Sequence, residues 1–256
     1  RSFYVGGGTP ISLPLPELER VLNAIGCPDV EYTVEAGRPD CITDEVLALL
    51  KENGVTRICV NPQTFNDKTL VAIGRKHTAK DIIDKFALAR KYGFDINMDL
   101  IAGLTGETFE DFRYSMDTAL ELDPDNLTVH TLSLKKGSVL KEKCDRLPAG
   151  EIKKMIDYSA YKSINAGFSP YYMYRQKYMA GNLENTGYTK RGKACVYNID
   201  VMEEISSNPA CGANGVSKRL FAAEDRIERY GAPKDIKTYI EKVGKIIADK
   251  REFFAK

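Results

Sequence analysis

The chain has 256 residues, enough to bury the core of one large α/β domain with or without an appendage. Its 37 basic side chains nearly balance 36 acidic ones, for a formal net charge of +1, so nothing electrostatic points to nucleic acid or to an anionic membrane surface. A small molecule is the expected partner, and no apolar run approaches the roughly 20 residues that span a bilayer.

The six cysteines, Cys27, Cys41, Cys59, Cys144, Cys195 and Cys211, contain no CxxC pair and no close cluster. Scattered singletons of this kind are expected to be reduced thiols of a cytoplasmic enzyme rather than a disulfide framework or a metal site. The chain opens with Arg1 directly before a strand, which suggests that a longer protein precedes it.

Phe3 to Val5 is a short apolar strand that breaks into Gly6, Gly7, Gly8, Thr9 and Pro10. Glycines at the C-terminal end of a strand let a ligand lie against the backbone, although a tight strand-to-helix turn needs the same residues. Leu18, Val21, Leu22 and Ile25 have the spacing of one helix face, stopped by Gly26. Val30 to Ala36 reads as a strand, Thr43 caps a helix with Val46, Leu47 and Leu50 inward, and Arg57 to Val60 is the third strand. Ala79 to Tyr92 is a helix with Ile82, Ile83, Phe86 and Ala89 inward, and Ile96 to Ile101 is the next strand. Thr108 with Asp111 forms a capping box for a helix through Leu122, before a strand over Leu127 to Leu132. Five strands alternating with helical connections predict a parallel sheet, either curled toward a barrel or open and doubly wound. Both architectures keep their ligands at the C-terminal strand ends.

The character changes beyond Ser138, and a soft domain boundary falls near residue 148. Glu151 to Ala166 is a helix with Ile152, Met155, Ile156, Ala160 and Ile164 in register. An aromatic, glycine-rich tract runs from Tyr171 to Tyr188, Cys195 to Met202 is strand-like, and Pro233 to Lys250 is a closing helix.

Polar groups recur at the strand ends: Glu35, Gln63 and, inside an apolar run, Asp99. A carboxylate in a buried strand needs a definite hydrogen-bonding partner, structural or ligand. Arg75 follows Gln63 and is suited either to a ligand carboxylate or to a surface ion pair.

Taken in order, GGGTP, EAGRP with Glu35, VNPQTFN with Gln63, IGRKHT with Arg75 and NMDLIAGLTGET with Asp99 resemble the oxygen-independent coproporphyrinogen III oxidase family of radical S-adenosylmethionine enzymes. KYMAGNLENTGY, YNIDVMEE and CGANGVSK extend the likeness to its coproporphyrinogen dehydrogenase branch. The resemblance implies a partial (β/α)₆ barrel over residues 1–148 with a C-terminal family-specific region over 149–256. S-adenosylmethionine would lie across its strand ends. Gly6, Gly7, Gly8 and Thr9 match the turn that receives the methionine amino group. Glu35, Gln63 and Asp99 match positions that bind the cofactor's polar groups, ribose hydroxyls included, and Arg75 matches the partner of its carboxylate. The backbone around Ile101 and Ser133 to Leu134 would flank the adenine.

The family's reaction converts two propionates of coproporphyrinogen III to vinyl groups through a 5′-deoxyadenosyl radical, a step of haem biosynthesis that needs no acid–base pair, so no catalytic side chain is expected. An electron donor such as flavodoxin or ferredoxin is implied, and Tyr171, Tyr172, Tyr174, Arg175, Lys177, Tyr188, Lys190 and Arg191 have the composition of a tetrapyrrole wall. One departure stands out: the family's CxxxCxxC loop for a [4Fe–4S] cluster is absent from the chain. Its ligands are expected upstream of Arg1, and the fragment alone would be inactive. A haem chaperone or a radical haem-degrading protein of the same superfamily is the alternative. A haem ligand would have to come from His77 or His130, of which His130, in a strand, reads as a core or cofactor-adjacent residue.

Overall fold

Five parallel strands set the frame in a computed structural model that describes residues 1–133, 147–175 and 183–255. They are β1 (Ser2–Val5), β2 (Glu31–Glu35), β3 (Arg57–Cys59), β4 (Asp95–Ala102) and β5 (Asn126–Thr131). Each pairs in parallel with its successor in sequence. An uninterrupted 1-2-3-4-5 order has no switch point, and right-handed crossovers then put every helix on one face. Of the two architectures open to the sequence, this is the curled one. The sheet runs on past residue 148 through β6 (Ser169–Tyr174) and β7 (Asn185–Thr189), with β7 antiparallel to both β5 and β6. Seven strands in the order β1-β2-β3-β4-β5-β7-β6 make the half-barrel.

The helices follow their local signals. α1 (Leu15–Ile25) ends at Gly26, whose φ of 80° only glycine adopts cheaply. α2 (Asp44–Glu52) starts where the Thr43 hydroxyl accepts the Val46 amide at 3.2 Å. α3 (Asp67–Ala72), the helical connection expected after Gln63, is capped by Asn66 and ends before Arg75. α4 (Ala79–Lys91) and α5 (Phe109–Glu121) both begin with reciprocal capping boxes, Thr78 with Asp81 and Thr108 with Asp111. α6 (Ala149–Asn165) packs against α5 and β5. Ile83 and Ile164, expected inward, are exposed at 37% and 58%. Each sits at the margin of its apolar stripe, where the sheet no longer covers it.

Contact clustering divides the chain into Arg1–Tyr197 and Asn198–Lys256, so the C-terminal unit begins some fifty residues later than the compositional change near 148. The run Cys195 to Met202, read as a strand, is largely helix α7 (Val196–Met202). Its β-branched residues favour a strand only against a partner strand, and among the described residues none pairs with it. The second unit holds a hairpin of β8 (Val216–Phe221) and β9 (Arg226–Gly231), which the dense charges of RLFAAEDRIER had hidden. The predicted closing helix is two, α8 (Ile236–Glu241) and α9 (Val243–Ala255). Among the described residues no helix is long and apolar enough to cross a membrane.

Candidate functional site

Alternation along the strands sorts side chains onto two faces of unlike chemistry. Tyr32, Val34, Ile58, Ile96, Met98, Leu100, Leu127 and Val129 turn outward into one apolar core cluster. Glu31, Thr33, Glu35, Arg57, Cys59, Asp95, Asn97, Asp99, Asn126, Thr128 and His130 occupy the alternate positions and point into the half-barrel. A closed barrel of this type fills its interior with branched apolar residues. Here that interior carries polar side chains, which can hydrogen-bond a ligand.

At the N-terminal ends of the strands the polar face is plugged by Arg57, 2% exposed. Its guanidinium donates to Asn97 (3.1 Å), Asn126, Glu31 (3.3 Å) and the Lys193 carbonyl (2.9 Å), with Asp95 at 3.5 Å. The segment after β7 closes the base: Lys193 reaches Asp95 at 2.5 Å, the Tyr197 amide donates to Glu31 at 3.3 Å, and the Tyr197 ring stacks on Tyr4 at 4.1 Å. One strap therefore ties the last strand back to the first two.

At the C-terminal ends the predicted residues fall into three groups. Tyr4 donates to Glu35 Oε1 at 2.6 Å, and a Cβ on Gly6 would sit 2.7 Å from the Tyr4 ring and 3.0 Å from the Glu35 carboxylate. Gly6 is therefore a glycine because this pair packs on it. Gly7 and Gly8 need theirs for φ of 85° and 119°, and open space lies before both. Burial pushes the Glu35 carboxyl above its ordinary value, an effect that the Tyr4 hydroxyl and the Gly7 amide oppose and the nearby Asp99 charge reinforces. Burial, followed by the Cys59 and Glu35 charges, drives the Tyr4 hydroxyl far upward, so Tyr4 stays a donor. Thr9 makes no side-chain cap to the turn Pro10–Ser12 that it precedes.

Gln63 and Asp99 are joined through the backbone: the Gln63 amide donates to the Asp99 carbonyl and the Ile101 amide to the Gln63 carbonyl, each at 2.9 Å. Gln63 has φ of 67°, costly for a residue with a Cβ and of the kind found where a side chain must be aimed. A buried knot holds that turn, in which the Thr64 hydroxyl donates to Glu107 at 2.5 Å and Ser115 accepts the Phe65 amide. Burial raises the Glu107 carboxyl. Asp99 faces His130, with Oδ2 to Nε2 at 3.7 Å, and His130 Nδ1 meets the Tyr174 hydroxyl at 3.1 Å. Beside them Tyr172 shares a hydrogen bond with Thr128 at 3.0 Å.

Arg75 stands apart from these two groups, in the turn after α3 rather than on a helix, its amide on the Leu70 carbonyl. Its half-buried guanidinium has no hydrogen bond or ion pair among the described residues, and burial, then the Arg38 charge, lowers its pKa. Arg38 is occupied by Asp40 at 2.5 Å. An unpaired, partly desolvated cation is costly unless an anion joins it.

Of the aromatic and basic tract, Tyr172 and Tyr174 line the interior, Tyr188 is buried in the apolar core, and Arg175 and Lys190 are paired with Glu184 and Asp123. Lys177, Leu134 and Cys144 lie outside the described residues. Among the described residues no three His, Cys, Asp or Glu side chains come together as a metal site, so these residues do not fit an iron–sulfur cluster. Sequence reading missed Tyr4, Arg57, Thr128 and Tyr197. The polar alternation of Glu31-Thr33-Glu35 and Asn126-Thr128-His130 was the available signal for the interior.

Comparison with known proteins agrees with this arrangement. Residues 1–119 match the profile of the Radical SAM superfamily. The chain is 41% identical over 251 residues to an oxygen-independent coproporphyrinogen-III oxidase-like protein, HemZ, of Bacillus subtilis, covering 94% of this chain and 50% of that one. It is 38% identical over 146 residues to the haem chaperone HemW of the same organism, covering 54% and 38%. Coproporphyrinogen III oxidase (HemN) of Escherichia coli superposes with a TM-score of 0.73 at 19% identity, over 95% of this chain and 57% of that one, a likeness of fold. The chain thus spans half the length of the first of these curated relatives, and its match covers a smaller share of the second.

Proposed function

Because the chain belongs to the radical SAM superfamily, we propose that its half-barrel binds S-adenosylmethionine for the oxidative decarboxylation of coproporphyrinogen III propionates to vinyl groups. The observation that carries the cofactor reading is Arg75, a half-buried guanidinium with no hydrogen bond or ion pair among the described residues, in the turn after α3. The donor set fits the ligand. Arg75 would pair with its carboxylate, Gly6 to Thr9 and Glu35 with its ammonium, and Gln63 and Asp99 with its hydroxyls and other polar groups. When bound and reduced, this cofactor supplies the power to abstract a hydrogen atom from an unactivated carbon. The chain's own residues orient it and exclude water: the Tyr4–Tyr197 stack and the Arg57 plug shut the base, leaving the strand ends open. Cluster ligands would come from a segment outside these 256 residues.

The reading for the substrate leans on the HemZ and HemN likenesses, and the HemW relatives support a second one, haem binding without the oxidation. Calorimetry with S-adenosylmethionine tests the first half. Arg75→Ala and Asp99→Ala should each weaken binding tenfold or more, given about 1.5–3 kcal/mol per charge-assisted hydrogen bond. Unchanged affinity in both would sink the assignment. Anaerobic reconstitution of the whole protein with coproporphyrinogen III tests the second half: 5′-deoxyadenosine and a vinyl product support the oxidase. Tight haem binding without either product supports the chaperone.

A further inference from the structure

Asp99, His130 and Tyr174 come from β4, β5 and β6, the last separated from β5 by β7, and their side chains meet on the inner face of the sheet. His130 stands beside Ile101 in the β4–β5 register, two positions beyond Asp99 and on the same face, so its ring approaches the carboxylate from the neighbouring strand. The Asp99 and His130 side chains are each 25% exposed, half-sunk in the cavity wall rather than buried or free. Tyr174, at the end of β6, meets Nδ1 at 3.1 Å and packs edge-on to the imidazole. Tyr172 stacks parallel to Tyr174 and is itself fixed by Thr128 and by a ring face against Gly187, where any Cβ would stand 2.0 Å from it. The groups facing the histidine are thus Asp99 from β4 and Tyr174 from β6, with Tyr172 stacked behind Tyr174 and the Asp99 charge felt by Glu35 on β2.

We propose that His130 is a positioning residue of the cofactor site: Tyr174 holds its ring so that the Nε2 edge faces Asp99, which keeps that carboxylate directed into the half-barrel to accept hydroxyls. This rests on the cofactor reading above. A hydroxyl donating to Nδ1 leaves the proton on Nε2, on the side of the carboxylate. At 3.7 Å that N–H attracts the carboxylate without taking up its lone pairs, so both oxygens stay available to a diol.

The chain has two histidines, which makes the test direct. The imidazole C–H resonances are followed by NMR from pH 5 to 9, His130 being assigned by the loss of the His77 signal in His77→Gln. In Asp99→Asn the His130 ring shifts should move, because the carboxylate facing Nε2 is gone. Tyr174→Phe should move its nitrogen shifts toward a mixture of tautomers. In calorimetry, His130→Ala should weaken S-adenosylmethionine binding about three- to tenfold, the factor that an ordinary hydrogen bond is worth, while His130→Gln, which keeps an N–H, should stay within about twofold of wild type. Wild-type affinity in His130→Ala alongside lost affinity in Arg75→Ala overturns this inference and leaves the cofactor reading standing. No binding by the wild type overturns both. Should His130→Ala not fold, the Asp99→Asn spectrum decides, and unmoved His130 ring shifts refute the contact.

Discussion

Replacing Arg57 by methionine, which is of similar length but uncharged, isolates what the plug at the base of the half-barrel contributes. The side chain is 3% exposed, faces Glu31 and Asp95, which are 12% and 27% exposed, and also donates to two asparagines and a carbonyl. Removing one member of a buried charge network leaves the others desolvated, at a cost of about 3–5 kcal/mol. Lys193 still holds Asp95, so the orphaned charge is mainly Glu31 and the expected loss lies near the low end, about 3 kcal/mol. Urea unfolding at pH 7.5, followed by circular dichroism, measures it. The double variant Glu31→Gln/Arg57→Met should recover at least about 1 kcal/mol, since the unpaired carboxylate is gone. The loss should also loosen the strap and with it the Tyr197–Tyr4 stack, seen as faster hydrogen exchange in 193–197. A single variant within about 1 kcal/mol of wild type, with unchanged exchange, would refute the account of Arg57 as the closure of the base.

Other expectations concern neighbouring groups. Gly187→Ala should cost about 1–3 kcal/mol through the clash with the Tyr172 ring, and Tyr172→Leu in the same chain should relieve it; equal stability of both single and double variants would contradict the packing. Burial raises the Glu107 carboxyl, so its favourable contribution is full below the unfolded value, about 4.5, and is lost as pH rises through the folded one. Glu107→Gln should accordingly gain on the wild type between pH 4.5 and 7, and a stability difference independent of pH would disprove this. His77 is 4% exposed, neither ring nitrogen has a hydrogen bond among the described residues although Asp40 lies 4.0 Å from Nδ1, and burial, then the Arg75 charge, lowers its pKa. Its contribution is present above about pH 6.5 and is lost as pH falls through the folded value. Melting temperatures at pH 7.5 and 5 should therefore show the wild type losing more on acidification than His77→Gln.

Local chemistry was legible where one residue's neighbours in sequence are also its neighbours in space. Thr43, Thr78 and Thr108 cap helices with atoms three residues away, and Gly26 and Gly54 end helices by their own φ, so these boundaries followed from the chain alone. The ordered motifs at GGGTP, Glu35, Gln63, Arg75 and Asp99 likewise marked the family by their resemblance to it, while the β–α repeat accounts only for why strand-end residues converge. Tertiary structure alone decided what those residues meet. Tyr4 reaches Glu35 across 31 residues, Tyr174 reaches His130 across 44, and Arg57 is held by a carbonyl 136 residues away, separations at which no periodicity carries information. The same distance explains the run after Cys195: its strand propensity was real, but a strand exists only where the folded sheet offers an edge, and here the chain crosses the base of the half-barrel instead.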